Sequence, residues 1–330
     1  MRKPILAVAL PLLLVGAVLS MQFFATPASP IALAQAETAL LSDVAAPMVL
    51  HTVEAGEHRI HTAVIGHPGN PPLVMVHGHG AGLGIFYRNY DALAEEFTIY
   101  ALDLPGWGRS SRPAKDLPTP EAVRDWWVDA LEQWREAVGL ERFTLFGHSL
   151  GGFVATSYAL TYPDRIDHLI LSDVAGVTPP VIWKDGVYFH LTPQRIVRLA
   201  GPFGPRLVAS SRSDQAHLPG ADRLNAYFYQ LSAAPPSGER LFLRLIGITT
   251  WHLPLADRLG ALDMPTTIFW GEDDVLTHPR NAEIARDRVA GSVLITIPNA
   301  GHIPFLDQAE VFNEAVRSRV KEITRSFLEP

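Results

Sequence analysis

Gly147-His148-Ser149-Leu150-Gly151-Gly152 is the segment best suited to covalent chemistry. A serine hydroxyl attacks a carbonyl only when a base takes its proton and the backbone presents the oxygen. Gly-x-Ser-x-Gly does the presenting, because glycines on both flanks permit a sharp strand-to-helix turn that side chains would block. The motif alone says little in a chain with 25 glycines, so its surroundings decide. Phe143-Thr144-Leu145-Phe146 before it reads as a strand and Gly151–Tyr162 after it as a helix. A base and an orienting acid should follow in the order Ser, Asp, His. Asp274 stands in Gly271-Glu272-Asp273-Asp274 after the strand Thr267–Trp270, and His302 in Asn299-Ala300-Gly301-His302 after the strand Ser292–Pro298. Side chains just beyond strand ends can converge on one edge of a sheet. Asp273 is one residue off and should point elsewhere. Asp173, ending the preceding strand, is the better substitute acid, although capping of the loop into the lid is the reading preferred for it.

Attack on a carbonyl creates an oxyanion that needs two backbone donors. Leu150 N–H, next to the nucleophile, is one. His79 N–H is the other, with Gly80 as alternate, because His77-Gly78-His79-Gly80-Ala81-Gly82 follows the strand Leu73–Val76. Those glycines also permit a tight turn, and the turn is what would aim the amide. The loop is not a phosphate cradle, since no Lys follows it and no Gly-x-Gly-x-x-Gly is present. With no cysteine in the chain, thiolate nucleophiles, disulfides and Cys-ligated zinc are excluded. This chemistry calls for no metal and no organic cofactor.

Strands alternate with helices along most of the chain. Met48–Glu54 and His58–Ile65 form a predicted hairpin. A helical pattern follows at Phe86, Tyr90, Leu93 and Phe97, then a strand at Thr98–Leu104, a helix at Pro120–Val138 and a strand at His168–Asp173. Thr266–Gly271, Asn281–Val289, Ser292–Pro298 and a last helix from about Gln308 to Phe327 complete the alternation. The fold class is therefore α/β, with a mostly parallel sheet flanked by helices. Residues 177–254 break the rhythm, holding nine of the 27 prolines, and read as a helical lid inserted between core segments 37–176 and 255–330. The nine aromatic residues of that stretch are hardly above the chain average of 9% and do not by themselves mark a binding surface, and Tyr227–Tyr229 are read as lid-to-core packing rather than substrate contact.

Arg2 and Lys3 precede Ile5–Leu19, fifteen residues without a polar side chain. A positive start followed by an apolar run marks residues 1–36 as a signal peptide, with small-residue sites at Ala32-Leu33-Ala34 and Ala34-Gln35-Ala36. Extended to Ala25, the run is also long enough for an uncleaved membrane anchor. Either reading puts the remainder outside the cytoplasm, periplasmic, secreted or held at the membrane by this segment. From Glu37 onward 25 basic residues face 34 acidic ones, which argues against a nucleic-acid partner. The sequence carries no sign of oligomeric state.

These motifs resemble the α/β-hydrolase fold superfamily over about residues 50–325. His77-Gly78, Asp103-x-x-Gly106-x-Gly108-x-Ser110, Gly147-x-Ser149-x-Gly151-Gly152, Gly271-x-x-Asp274 and Gly301-His302 occur in family order. His77–Gly82, Tyr87-Arg88-Asn89, Gly106–Pro113 and Tyr158-x(3)-Tyr162-Pro163-Asp164-Arg165 are similar to the lipid-active branch, which contains phospholipases and lysophosphatidic acid acyltransferase-like proteins. The resemblance implies an eight-stranded sheet and a Ser149–His302–Asp274 triad with no cofactor. It further implies an esterase or lipase acting on an ester or lipid substrate with an apolar acyl group. Acyl transfer, phospholipase action and non-catalytic lipid binding on the same fold are the alternatives. That branch carries His-x(4)-Asp near its C-terminus, matched by His302–Asp307. Asp307-Gln308-Ala309-Glu310 also reads as a helix capping box, which explains Asp307 without chemistry. Ser149 sets the chain apart from relatives that use an Asp nucleophile.

Overall fold

The computed structural model describes residues 28–178, 192–246 and 251–328. The apolar run Ile5–Leu19 lies outside them, as do Trp183, Tyr188 and Phe189 of the predicted lid. Among the described residues no helix is long and apolar enough to cross a membrane. They divide into two compact units, residues 28–40 with 192–234, and residues 41–178 with 235–246 and 251–328.

The larger unit is built on one eight-stranded sheet in the order β1-β2-β4-β3-β5-β6-β7-β8. Its strands are Met48–Ala55, His58–Ile65, Pro72–Val76, Thr98–Leu102, Phe143–His148, Ile166–Ser172, Thr266–Gly271 and Val293–Ile297. β1 and β2 form the antiparallel hairpin, with Ala55 opposite His58 and Gly56 at φ +59°. Glycine at the first central position is what a type II′ turn requires. β2 also pairs antiparallel with β4, and every other pairing is parallel. The central strands are apolar on both faces because helices flank the sheet, and Val74, Leu145, Leu169 and Ile268 are all fully buried.

The helix Pro120–Val138 has the bounds its punctuation demands. Thr119 Oγ1 accepts the Ala122 N–H at 3.2 Å, Pro120 takes the first turn, and Gly139 ends the helix at φ +76°. Trp127 and Trp134 bury the inner face. The pattern from Phe86 to Phe97 is not one helix. It splits into a 3-10 turn at Leu83–Phe86 and a short helix at Tyr90–Ala94. Phe86, Tyr90, Leu93 and Phe97 are nonetheless all buried, so the spacing recorded the buried face rather than an unbroken helix. Between the two pieces the buried Asn89 amide donates to Phe305 O at 2.9 Å and Asn313 Oδ1 at 2.8 Å.

The smaller unit is helical, with Pro30–Leu41, Pro193–Ala200, Gly204–Ser211 and Ala221–Ala233. Both small-residue cleavage patterns lie on the first of these helices. Val197, Val208 and Tyr229 form its own apolar cluster. The helix Gly238–Leu245, also within 177–254, belongs to the larger unit.

Candidate active site

β5 runs into the helix Leu150–Thr161 through Ser149, whose φ of +53° and ψ of −116° suit few residues with a side chain. The flanking glycines show why the turn closes. A Cβ at Gly147 would lie 2.5 Å from Gly151 O, and one at Gly151 would lie 2.3 Å from Val76 O. Ser149 is pinned at both peptide groups: its N–H donates to Ser172 O at 3.0 Å, and its carbonyl accepts from Phe153 N and Ala175 N at 3.1 Å.

His302 follows β8 and Asp274 follows β7, and the structure brings both to Ser149. His302 Nε2 lies 3.0 Å from Ser149 Oγ and its Nδ1 lies 3.0 Å from Asp274 Oδ2. The carboxylate can only accept, so Nδ1 carries the hydrogen and Nε2 is left to take one from the serine. Burial alone would raise the Asp274 pKa. Hydrogen bonds from His302 and Thr277, and the His302 charge, win and hold it well below the carboxylate range. Leu276 N and Thr277 N donate to Oδ1 at 2.7 and 3.0 Å, and the Thr277 hydroxyl donates to Oδ2. Asp273 is exposed, as its offset required.

Asp173 is also here, buried and at φ +46°. It accepts from Gly271 N at 2.9 Å and from Ser172 Oγ at 2.7 Å. Ligand atoms of Asp173, Asp274 and His302 all lie within 4.8 Å of one another. Burial, followed by the Asp274 charge and a hydrogen bond to that carboxylate, pushes the Asp173 pKa well above the ordinary range. Of the two carboxyl groups, Asp173 is thus the one whose protonated form the burial favours.

Leu150 adjoins the serine, and the loop that carries His79 approaches it at Gly78. Leu150 is the first residue of its helix, where amides have no intrahelical acceptor. Residues 77–82 press on Ser149 from the other side, so that a Cβ at Gly78 would meet Ser149 Cβ at 3.0 Å. Ala81 N donates to Gly78 O at 3.3 Å across a tight turn, with Gly80 at φ +72° and His79 before it. The His79 ring sits 4.0 Å from that of Phe242 and 4.7 Å from that of Trp107. His77 anchors the loop: its Nε2 accepts Leu104 N–H at 3.1 Å, so Nδ1 carries the hydrogen donated to Gly78 O at 2.7 Å. Asp103 anchors it again by accepting from Leu83 N and Arg109 N, both at 2.7 Å.

Sequence reasoning missed a brace around His302. His148 Nε2 lies 2.7 Å from His302 O. Arg88 Nη1 donates to Leu306 O at 2.6 Å, beside the Asn89 bond to Phe305 O. Asp307 does not cap the last helix. It ends the short helix Pro304–Asp307, and its Oδ2 accepts the Gly301 N–H at 3.0 Å. Gln308 takes the cap position instead, its carbonyl accepting Phe312 N–H at 2.9 Å. Adjacency of Arg88-Asn89 was visible in the chain, but nothing local tied it to residues more than 200 positions away.

A family model described as the alpha/beta hydrolase fold matches residues 71–309. The chain belongs to the α/β-hydrolase family. It is 36% identical over 283 residues to the human (lyso)-N-acylphosphatidylethanolamine lipase, covering 79% of this chain and 82% of that protein. It is also 36% identical over 275 residues to a 1-acylglycerol-3-phosphate O-acyltransferase of Arabidopsis thaliana, covering 75% of this chain and 66% of the relative. The chain thus spans just under two thirds of that plant acyltransferase. Among solved structures, a bacterial membrane phospholipase A superposes with a TM-score of 0.73 at 23% identity, over 98% of this chain and 99% of that one. The carboxylesterase CesB of Bacillus subtilis gives 0.69 at 22% identity, over 88% and 97%. At those identities the likeness is one of fold. This α/β hydrolase thus has lipid-active relatives of two kinds, hydrolytic and acyl-transferring.

Proposed function

We propose that the protein is a serine hydrolase that cleaves carboxylic esters of lipids through an acyl-enzyme. The observation that carries this is the hydrogen-bonded line from Ser149 Oγ through His302 to Asp274, two links of 3.0 Å each. Ser149 Oγ attacks the ester carbonyl carbon while His302 Nε2 takes its proton. The buried Asp274 carboxylate holds the imidazole tautomer and stabilises the imidazolium. Amides of Leu150 and His79 donate to the oxyanion. On collapse, the bond to the alcohol oxygen breaks and His302 returns the proton to that oxygen. Water, deprotonated by His302, then attacks the acyl carbon, Ser149 leaves reprotonated, and a free acid is released. No step needs a metal or organic cofactor. A lipid substrate accords with the lipase and acyltransferase relatives, and export accords with the apolar run after Arg2 and Lys3.

Acyl transfer is the second reading, favoured by the 36% identity to acyltransferases, with a lysophospholipid alcohol replacing water. The test is fluorophosphonate labelling of the wild type, Ser149→Ala and His302→Ala, followed by turnover of p-nitrophenyl esters and of N-acylphosphatidylethanolamine. Labelling that disappears in both variants, with release of free acid, supports hydrolysis. Acyl incorporation into lysophosphatidic acid in preference to free acid release would move transfer to the front. A folded wild type that neither labels nor turns over would leave lipid binding without catalysis.

A further inference from the structure

The smaller unit exposes large apolar side chains in a regular order. Ile196 and Leu199 lie on the helix Pro193–Ala200, Phe203 in the 3-10 turn Gly201–Phe203 and Leu207 on the helix Gly204–Ser211, at spacings of three, four and four. They are 41%, 71%, 41% and 38% accessible. The same stretch already has an inward face, where Val197 and Val208 are buried against Tyr229. The outward apolar residues stay substantially exposed beside that inward face, and large apolar side chains gathered on one surface segment mark a binding face.

Charge identifies what covers it. Residues 190–234 hold five arginines and two aspartates, whereas the rest of the chain holds 22 basic and 32 acidic residues. The strip thus lies in a basic stretch of an acidic chain, with Arg195 and Arg206 exposed beside it. Apolar side chains at helical spacing flanked by arginines fit an anionic lipid surface, with apolar groups at the acyl boundary and guanidinium groups among the headgroups. We infer that the Ile196–Leu207 strip seats the protein on an anionic phospholipid surface. This contact is separate from any insertion of the N-terminal run and does not depend on Ser149 being a nucleophile.

The absence of cysteine makes a local test possible on the full chain. Leu199→Cys carries an environment-sensitive nitrobenzoxadiazole, and Val49→Cys, an exposed apolar position on the edge strand β1, carries the same dye as control. Vesicles are phosphatidylcholine alone or mixed with phosphatidylglycerol. The dye at 199 should brighten and blue-shift on the anionic vesicles, be quenched by spin-labelled acyl chains, and lose the shift in Arg195→Glu/Arg206→Glu. The dye at 49 should not respond. Equal responses at the two positions, or equal responses on neutral and anionic vesicles, would overturn the proposal. Emission already blue without vesicles would also overturn it. Dependence on protein concentration would then indicate a second copy over the strip, and independence would indicate the chain's own Ile5–Leu19 run. Leu199→Ser/Phe203→Ser should keep hydrolysis of a soluble ester while weakening dye-reported vesicle contact, read from Leu207→Cys, by about a hundredfold.

Discussion

His148 Nε2 donates to the backbone carbonyl of His302 across 2.7 Å, so the residue before the nucleophile holds the peptide of the base. The rings of the two histidines are 4.9 Å apart. His148 is buried, and desolvation followed by the His302 charge pushes its pKa down to about 3, which keeps it neutral with the hydrogen on Nε2. His148→Phe retains the bulk and removes the donor. Its kcat on a soluble ester should fall on the order of tenfold to a hundredfold while KM changes little. His148→Gln, whose amide can still donate, should recover part of that loss. Equal activity of His148→Phe and wild type would remove the residue from the positioning of His302.

Asp307 should act on the same loop. Its carboxylate receives the Gly301 N–H one residue ahead of His302. Asp307→Ala leaves that amide without its partner, and a displacement of the imidazole by about 1 Å costs up to about a hundredfold in rate. Asp307→Asn keeps an acceptor oxygen and should retain most activity. A stopped or slowed reaction in both variants, with unchanged thermal stability, would mean that the carboxylate charge itself takes part in chemistry.

Asp173 makes a pH-dependent cost. Its pKa in the folded protein lies above the unfolded value, so the folded state holds the extra proton. Stability is then full below the ordinary carboxylate range and declines as pH rises toward the raised value. The groups facing it are Asp274, His302, Ser172 and the Gly271 amide. Asp173→Asn is neutral at every pH and can still accept from Gly271. Its Tm relative to wild type should therefore climb as pH is raised from about 4 to about 8. A constant difference across that range would show that Asp173 is ionised in the fold.

Buried histidines set the acid limb, and His58, His77, His148 and His168 are all lowered chiefly by desolvation. His148 and His168 are both held down to about 3, chiefly by desolvation. The unfolded chain takes up those protons near an ordinary histidine pKa of about 6.5, so stability should fall as pH drops below that value. His168, which bonds Thr267 Oγ1 at 2.9 Å on the neighbouring strand, is remote from the reacting groups. His168→Gln should flatten the Tm profile below about pH 6.5 and leave kcat unchanged. An unaltered profile would assign the acid limb to other groups.

Gly151 should tolerate no side chain, since a Cβ there would sit 2.3 Å from Val76 O and 2.5 Å from His77 O, both backbone atoms. Gly151→Ala should cost about 3 kcal/mol or more in stability, measured by urea unfolding, because neither strand nor helix can yield alone. At Gly139, φ +76° with open space around it, the same change should cost only about 1 kcal/mol. Comparable losses at both sites would mean that backbone conformation, rather than crowding, decides.

What could be read from the chain and what could not divide along a physical line. Helix bounds at Pro120 and Val138, the hairpin at Gly56, and the strand–Ser149–helix turn are local matters, decided by capping, φ preference and apolar spacing within a few residues. The order of Ser149, Asp274 and His302 after the strands β5, β7 and β8 was likewise legible, because parallel strands carry their following loops to one edge of the sheet. Tertiary structure alone decided which groups hold those loops in register. Asp307 looks like a cap in sequence, yet its carboxylate turns back to Gly301. Arg88 and Asn89 reach carbonyls at Leu306 and Phe305, and the Asp173 pKa rises only once it is buried beside Asp274. Such pairings depend on distances across the sheet and on the dielectric each group meets there, and neither quantity exists until the chain has closed.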